Sequence, residues 1–257
     1  MPYEIVFFDI DFTLINSEKE IPQDTMEAIR KLKENGTQVA IATGRPPYMF
    51  KEIAKKLEID TFVCINGSLV IHQGQIIRRH IFEKADLAKL EEQASKHGHA
   101  LSYFALEGSF ANQDHHPRIL ECFEDLRFPS PAYEPNAWRE YDMYQALVYC
   151  TEEEAHLYQS LDAFRFVRWH EFSMDGIPLG SSKAKGIEVL LDHLGLDRSQ
   201  AVAFGDGLND LEMLSYVGMG VAMGNAHEEL KAQANYITKS VDQGGVAFGL
   251  AHLGLIK

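Results

Sequence analysis

The sequence predicts an α/β fold: a doubly wound, mostly parallel sheet interrupted by an inserted α+β domain. Three observations carry this. The runs Ile5-Val6-Phe7-Phe8, Val39-Ala40-Ile41-Ala42 and Ala201-Val202-Ala203-Phe204 are short and uninterruptedly apolar. Such runs read as strands buried on both faces, the habit of parallel sheets. Each ends abruptly in a polar motif and alternates with a helical stretch, which is the βαβ pattern. From about Lys84 to Pro178 that habit stops, and it then resumes.

The elements follow in order. After the first strand, Pro22 to Asn35 reads as an amphipathic helix closed by Gly36, with Met26, Ile29 and Leu32 as its apolar stripe. Gln38 to Ala42 is the second strand. It ends in Thr43-Gly44-Arg45-Pro46-Pro47, with a helical stretch to about Leu57. That order places Thr43 and free amides at a helix N-terminus, as either an anion site or an ordinary capped turn. Thr61 to Ile65 is the third strand, ending in Asn66-Gly67, and a hairpin turns at Gln73-Gly74. In the inserted block, 85–97 is a helix, 101–104 and 109–112 are strands, 117–127 is a helix, and 128–138 is proline-rich and irregular. A strand at 144–150, a helix at 152–160 begun by three glutamates, and a strand at 164–170 complete it, with Asp175-Gly176 as a hinge turn. The core resumes with a helix at 182–194. A strand at 200–204 runs into Gly205-Asp206-Gly207-Leu208-Asn209-Asp210, and 211–215, 218–223, 226–234 and 236–238 follow as helix, strand, helix and strand. The expected domains are therefore a core of 1–83 and 179–257 and an insert of 84–178.

Composition narrows the function classes. The 257 residues are 46% hydrophobic and 24% charged, enough for packed cores. Lys plus Arg is 24 against 38 Asp plus Glu, a net charge of −14. This argues against a nucleic-acid or acidic-membrane partner. Three widely spaced cysteines suggest neither a disulfide framework nor a zinc site and fit a reducing cytoplasm. No apolar run reaches membrane length. Eleven histidines show no zinc spacing, and Gly218-Met219-Gly220-Val221-Ala222-Met223 lacks the third glycine of a dinucleotide fingerprint.

Chemistry concentrates at the strand ends. Asp9 and Asp11 lie two apart and emerge together where the first strand stops. Taken alone they are either working acids or turn formers. With Thr43, Asn66, and Asp206, Asn209 and Asp210, they fall on the carboxyl edge of the sheet, where open α/β sheets bind ligands. Several carboxylates with carbonyl oxygens suit Mg²⁺. A hydroxyl, and a lysine from the pair Lys183 and Lys185, suit a phosphoryl group.

Asp9-Ile10-Asp11-Phe12-Thr13-Leu14, Ala42-Thr43-Gly44-Arg45, Ser182-Lys183 and Gly205-Asp206-Gly207-Leu208-Asn209-Asp210 occur in that order. The whole resembles the haloacid dehalogenase-like hydrolases, and within them the Cof-like phosphatases with a large α/β cap. The Asn66-Gly67 turn and Val221-Ala222-Met223-Gly224-Asn225-Ala226 also look like that group. The resemblance implies a Rossmann-like core with an inserted cap. It implies a cytoplasmic phosphatase of small phosphorylated metabolites that uses Mg²⁺ and an aspartyl phosphate. Asp9 is then the nucleophile and Asp11 the acid and base, with a proton on Asp11 favoured by its carboxylate neighbour. Thr43, Gly44, Asn66 and Asn209 would line the phosphate, and Lys183 would neutralise charge. Asp9, Asp11 (through its carbonyl), Asp206 and Asp210 would form the metal site. Helix register favours Lys183 over Lys185. Phe12 stands where the family usually has glycine, which fits a backbone position without a left-handed requirement. A phosphomutase of the same superfamily and a non-catalytic phospholigand-binding module are the alternatives. Substrate and oligomeric state have no signature.

Overall fold

A computed structural model describes residues 3–257. The chain forms two compact units. One holds the described residues up to Arg45 with Phe50–Arg79 and Ser182–Lys257; the other holds Pro46–Met49 and His80–Ser181. The boundaries thus fall at 79/80 and 181/182, against the expected 83/84 and 178/179.

The first unit begins with β1 (Ile5–Phe8), whose four apolar side chains are all buried. Helix α1 (Gln23–Glu34) buries Thr25, Ala28, Ile29 and Leu32. Met26 is only half-buried, so the inward stripe is rotated from the one expected. After β2 (Gln38–Ala42) the chain makes a turn at Thr43–Pro46, and Pro47–Met49 form a single 3₁₀ turn. Helix α2 (Lys51–Leu57) starts only at Lys51. Thr43 therefore does not sit at a helix N-terminus. Pro46 and Pro47 explain this, since a residue before proline is pushed out of the helical region. Strand β3 (Phe62–Cys64) runs into Ile65, Asn66 and Gly67, with φ of 51°, 49° and 81°, and the hairpin β4 (Leu69–His72) and β5 (Gln75–Arg79) follows.

The second unit comprises α3 (Lys84–His97), β6 (Ala100–Phe104), β7 (Ser109–Ala111), α4 (Pro117–Asp125), β8 (Ala132–Tyr133), α5 (Ala137–Glu140), β9 (Gln145–Tyr149), β10 (Phe164–His170) and β11 (Ser173–Pro178). Its sheet order is β10-β11-β9-β6-β7-β8. Pairing is antiparallel except between β7 and β8. Leu101, Tyr103, Ala146 and Val148 pack with Leu87 and Leu90 of α3. Alternate residues Ala100, Phe104, Leu147 and Tyr149 pack with Ile119, Cys122 and Phe123 of α4. Two expectations are corrected here. The 152–160 segment is not an α-helix: it holds only a 3₁₀ turn at Ala155–Tyr158, although the Glu154 carboxylate accepts from the Thr151 amide at 2.8 Å as at a helix start. Asp175-Gly176 is not a hinge but mid-strand in β11. Its glycine makes room for aromatic rings, since a Cβ there would lie 3.0 Å from Phe166.

The chain re-enters the first unit through α6 (Lys183–Leu194), capped by the Ser182 hydroxyl, which accepts from the Lys185 amide at 3.2 Å. Then come β12 (Ala201–Gly205), α7 (Leu211–Tyr216), β13 (Met219–Ala222), α8 (Glu228–Gln233), β14 (Tyr236–Ile237) and α9 (Gly245–His252). Helix α9 has no counterpart in the sequence reading. The sheet order is β14-β13-β12-β1-β2-β3-β4-β5, parallel from β14 to β3 and antiparallel beyond. From β1 the chain builds outward to β2 and β3 on one side, and later to β12 on the other. The crevice at the carboxyl ends of β1 and β12 is thus the topological switch point. No described helix is long and apolar enough to cross a membrane.

Candidate active site

Parallel register sets Phe8 beside Phe204, so Asp9 and the Gly205-Asp206 step leave the sheet at the same edge. The amide of Asp9 still donates to the Phe204 carbonyl at 3.0 Å, which fixes the backbone at the point where the carboxylate begins. Lys183, the first residue of α6, is buried, and its Nζ donates to Asp9 Oδ1 and Asp210 Oδ1, both at 2.6 Å. Lys185 is exposed and pairs with Glu188. Asp210 uses its other oxygen to accept the amides of Asp206 and Gly207, each at 3.0 Å. A Cβ on Gly205 would come within 2.6 Å of that carboxylate, so only glycine lets the loop close over it.

The carboxylates of Asp9, Asp206 and Asp210 have oxygens within 4.8 Å of one another. Burial, reinforced by Asp210 and Asp11 against the pull of Lys183, pushes the Asp9 carboxyl up to about 7. Burial with Asp9 and Asp210 pushes Asp206 up to about 8. Burial also disfavours the Lys183 ammonium, but Asp210 and Asp9 outweigh it and raise its pKa above the usual lysine range. Three carboxylates face one ammonium, and the excess negative charge is what a divalent cation would neutralise. Asp206 Oδ1 accepts from the Thr13 hydroxyl at 2.9 Å. Asp210 was expected among the metal ligands. Its two oxygens accept from three protein donors, seating Lys183 and the 206–207 amides, and it remains within the acidic group that could hold a metal ion.

Asp11 differs from expectation. Its carboxylate is clasped by Arg45, from Nε to Oδ2 at 2.8 Å and Nη2 to Oδ1 at 2.5 Å, and by Lys19 Nζ to Oδ1 at 2.8 Å. Burial alone would raise its pKa, but Arg45, with Lys19, outweighs burial and holds it below the usual carboxylate range. A proton on Asp11 induced by a neighbouring carboxylate is therefore not what this arrangement favours. Phe12 departs too: its φ is +54°, so this is the left-handed position that glycine suits, not one without such a requirement. The Phe12 carbonyl accepts from Asn225 Nδ2 at 2.8 Å, and Asn225 Oδ1 accepts the Val241 amide at 2.8 Å. That brace holds the non-glycine conformation.

The remaining expected residues meet one another. The Thr43 hydroxyl is buried and accepts the Arg45 amide at 3.1 Å. The Asn66 amide donates to the Thr43 carbonyl at 3.1 Å, and the Asn66 side chain lies against Gly44, where a Cβ would be 3.2 Å from Nδ2. Asn209 Nδ2 reaches Asn66 Oδ1 at 3.5 Å. The motifs after β2, β3 and β12 are thus tied together. Lys19, Thr13 and Asn225 were not singled out from sequence. Thr13 lies inside the quoted acid motif and Asn225 inside the 221–226 segment, so both signals were present, whereas nothing around Lys19 pointed to Asp11.

A family model described as haloacid dehalogenase-like hydrolase matches residues 6–250. The chain is 38% identical over 257 residues, covering all of both proteins, to YkrA of Bacillus subtilis (strain 168), provisionally named a phosphatase. It is 30% identical over 263 residues to the 5-amino-6-(5-phospho-D-ribitylamino)uracil phosphatase YitU of the same organism, covering 96% of this chain and 95% of that one. It also resembles the structure of the haloacid dehalogenase subclass IIB sugar phosphatase BT4131, at 28% identity and a TM-score of 0.89, covering 98% of this chain and 100% of that one.

Proposed function

This chain belongs to the haloacid dehalogenase-like hydrolases and is a hydrolase acting on phosphate esters, and we propose that it releases phosphate from small phosphorylated metabolites through an aspartyl phosphate on Asp9, with Mg²⁺ as cofactor. The observation that carries this reading is the state of Asp9. One oxygen is held by a buried lysine, while the other takes no hydrogen bond from the described residues. That is a nucleophile oriented at one end and open at the other.

Two half-reactions follow. Asp9 Oδ2 bonds to phosphorus as the ester P–O bond breaks, and the leaving oxygen takes the proton that Asp11 received from water in the preceding turnover. Water then bonds to phosphorus as the Asp9–phosphorus bond breaks, and its proton passes to Asp11. Lys183 balances the charge on Asp9 in both halves. Thr43 and the Gly44 amide, with Asn66 and Asn209 beside them, would receive the phosphate oxygens. The donor set fits Mg²⁺ because it is all oxygen, buried and over-negative. Asp9, Asp206 and the Asp11 carbonyl would hold the ion, and Asp210 would orient the loop. When bound, Mg²⁺ would neutralise charge on the phosphoryl group.

The relatives named as a sugar phosphatase and a phosphoribitylaminouracil phosphatase support phosphomonoesters of polyhydroxylated metabolites as the substrate class. The test is Mg²⁺-dependent phosphate release from p-nitrophenyl phosphate and a sugar-phosphate panel, with Asp9→Asn as control. Turnover that is lost in Asp9→Asn and lost on chelation is expected. Turnover surviving Asp9→Asn would remove the covalent step. Phosphate reappearing at another carbon of the sugar would make the enzyme a mutase.

A further inference from the structure

Phe12 holds a strained conformation that core packing does not explain. Two apolar residues other than glycine have positive φ among the described residues, Ile65 at 51° and Phe12 at 54°. A bulky side chain stays in that region only where its surroundings over-determine it. Ile65 is wholly buried, so the core accounts for it. Phe12 is 44% exposed, so the core does not account for its ring. Its backbone is nonetheless pinned, with the Phe12 carbonyl accepting from Asn225 Nδ2 at 2.8 Å. The residues on either side belong to the site: Asp11 is held by Arg45 and Lys19, and Thr13 donates to Asp206. Exposure alone would mean little, since single exposed apolar side chains are normal. Phe248 is 43% exposed and also has a lysine, Lys239, with its ammonium 4.3 Å from the ring centroid. Phe248, however, sits in the regular helix α9, far from any strand end that carries a motif. Strain, exposure and a place between two site residues coincide at Phe12.

The chemistry on offer there is set by Lys19. A tight turn brings this lysine back towards Phe12: the Lys19 amide donates to the Asn16 carbonyl at 3.0 Å, and the Asn16 side chain accepts the Glu18 and Glu20 amides at 3.1 and 3.0 Å. The Lys19 ammonium lies 5.6 Å from the Phe12 ring centroid. Among the described residues it gives one hydrogen bond, to Asp11 Oδ1 at 2.8 Å, and an ammonium has three donors. An exposed aromatic face and unspent N–H donors thus stand side by side, next to the residue assigned as acid and base. Ligand sites pair apolar surface with a few placed polar groups in this way. A sugar ring is the complement, with a C–H face for the aromatic ring and hydroxyls at its edge for the donors. We propose that Phe12 is a specificity-determining residue, whose ring packs against the C–H face of a cyclic sugar in the leaving group while Lys19 donates to one of its hydroxyls. The strained conformation is kept for that contact and not for stability. This rests on the phosphatase reading above and deepens it, from esters of polyhydroxylated metabolites to those whose leaving group is a sugar ring.

The experiment compares kcat/KM for a hexose 6-phosphate, the better used of the glucose and mannose esters, with kcat/KM for glycerol 3-phosphate. Both leave as primary alcohols, so the ratio reports the carbon skeleton and not the chemistry at phosphorus. Phe12→Asn tolerates the left-handed backbone but has no ring. In it the hexose-to-glycerol ratio is expected to fall by about fivefold to tenfold, the size of a lost aromatic contact. Phe12→Gly should lower the ratio as much, with a melting temperature that holds or rises as the strain is relieved. Phe12→Tyr and the distant control Phe248→Ala should keep the wild-type ratio. A ratio unchanged in Phe12→Asn and Phe12→Gly overturns the inference. So does a wild-type protein that uses glycerol 3-phosphate as well as the hexose esters, or one that hydrolyses p-nitrophenyl phosphate and neither kind of sugar ester. A lower melting temperature in Phe12→Gly, with both esters losing equally, makes the ring structural and overturns it too. Failure of the underlying reading is a different result: no phosphate released from any of these esters by the wild-type protein, or turnover that survives Asp9→Asn.

Discussion

Lys183 is the residue on which the site's electrostatics turn. Its side chain is wholly buried, and two carboxylates hold it. Breaking a buried ion pair from one side leaves an uncompensated charge, which costs about 3–5 kcal/mol. Lys183→Met should therefore lower unfolding free energy by about that much at pH 8 in urea titrations, and should abolish turnover. The loss should shrink at pH 5.5, where Asp9 and Asp206 carry protons and need less compensation. Lys185→Met provides the contrast. Lys185 pairs with Glu188 on the exposed face of α6, so its removal should change stability by no more than about 0.5 kcal/mol and leave turnover intact. Much at this scale was readable from sequence, because the motifs are short and each is tied to a strand end. Two things were not. The φ of Phe12 depends on the Asn225 brace, 213 residues away in sequence. The state of Asp11 depends on where the Lys19 turn points, which no local pattern encodes.

Among the elements, the contact between the turn after β3 and the start of α6 does the positioning. A Cβ on Gly67 would stand 2.0 Å from the Ser182 carbonyl, and one on Gly186 2.4 Å from Val63 and 2.9 Å from Gly67 Cα. Two glycines thus let the backbone of the Asn66 turn touch the helix that carries Lys183. Gly67→Ala, with φ +81° as well, should destabilise by about 3 kcal/mol or more, combining backbone overlap with left-handed strain. It should also lower kcat with Mg²⁺ present, because Lys183 and Asn66 shift together; a melting curve and a kinetic titration of the same variant check both. Strands β1, β2 and β12 were legible because burial on both faces writes an unbroken apolar run. Helix α9 was not, since Gly-Val-Ala-Phe-Gly-Leu-Ala-His has two glycines and no polar face to give it a period. Strand β11 was hidden by Asp-Gly, a turn signal that packing against Phe164 and Phe166 overrides.

For the whole molecule, stability is coupled to the acidic cluster. The chain carries −14 overall, and the first unit concentrates Asp9, Asp206 and Asp210 where water cannot screen them. Asp9 and Asp206 have folded-state pKa values raised to about 7 and about 8. For a carboxylate the sign is fixed by proton binding: the folded state holds these protons more tightly than the unfolded chain. The contribution is fully present below the ordinary carboxylate pKa and is lost as pH rises through about 7 to 8. Asp11, lowered by Arg45, works in the opposite sense, but only below the ordinary carboxylate range, outside this window. In chelator, the melting temperature should therefore fall between pH 5.5 and 8.5. The general rise in the chain's negative charge with pH acts in the same direction, so the site is isolated by Asp206→Asn, whose melting temperature should fall less steeply. A cation that binds only the folded state stabilises by about 2.7 kcal/mol at a hundredfold over its Kd. Mg²⁺ added at pH 8 should raise the wild-type melting temperature and scarcely move that of Asp206→Asn. Equal pH slopes for the two proteins, with equal Mg²⁺ shifts, would show that the acidic cluster neither stores this strain nor takes the ion.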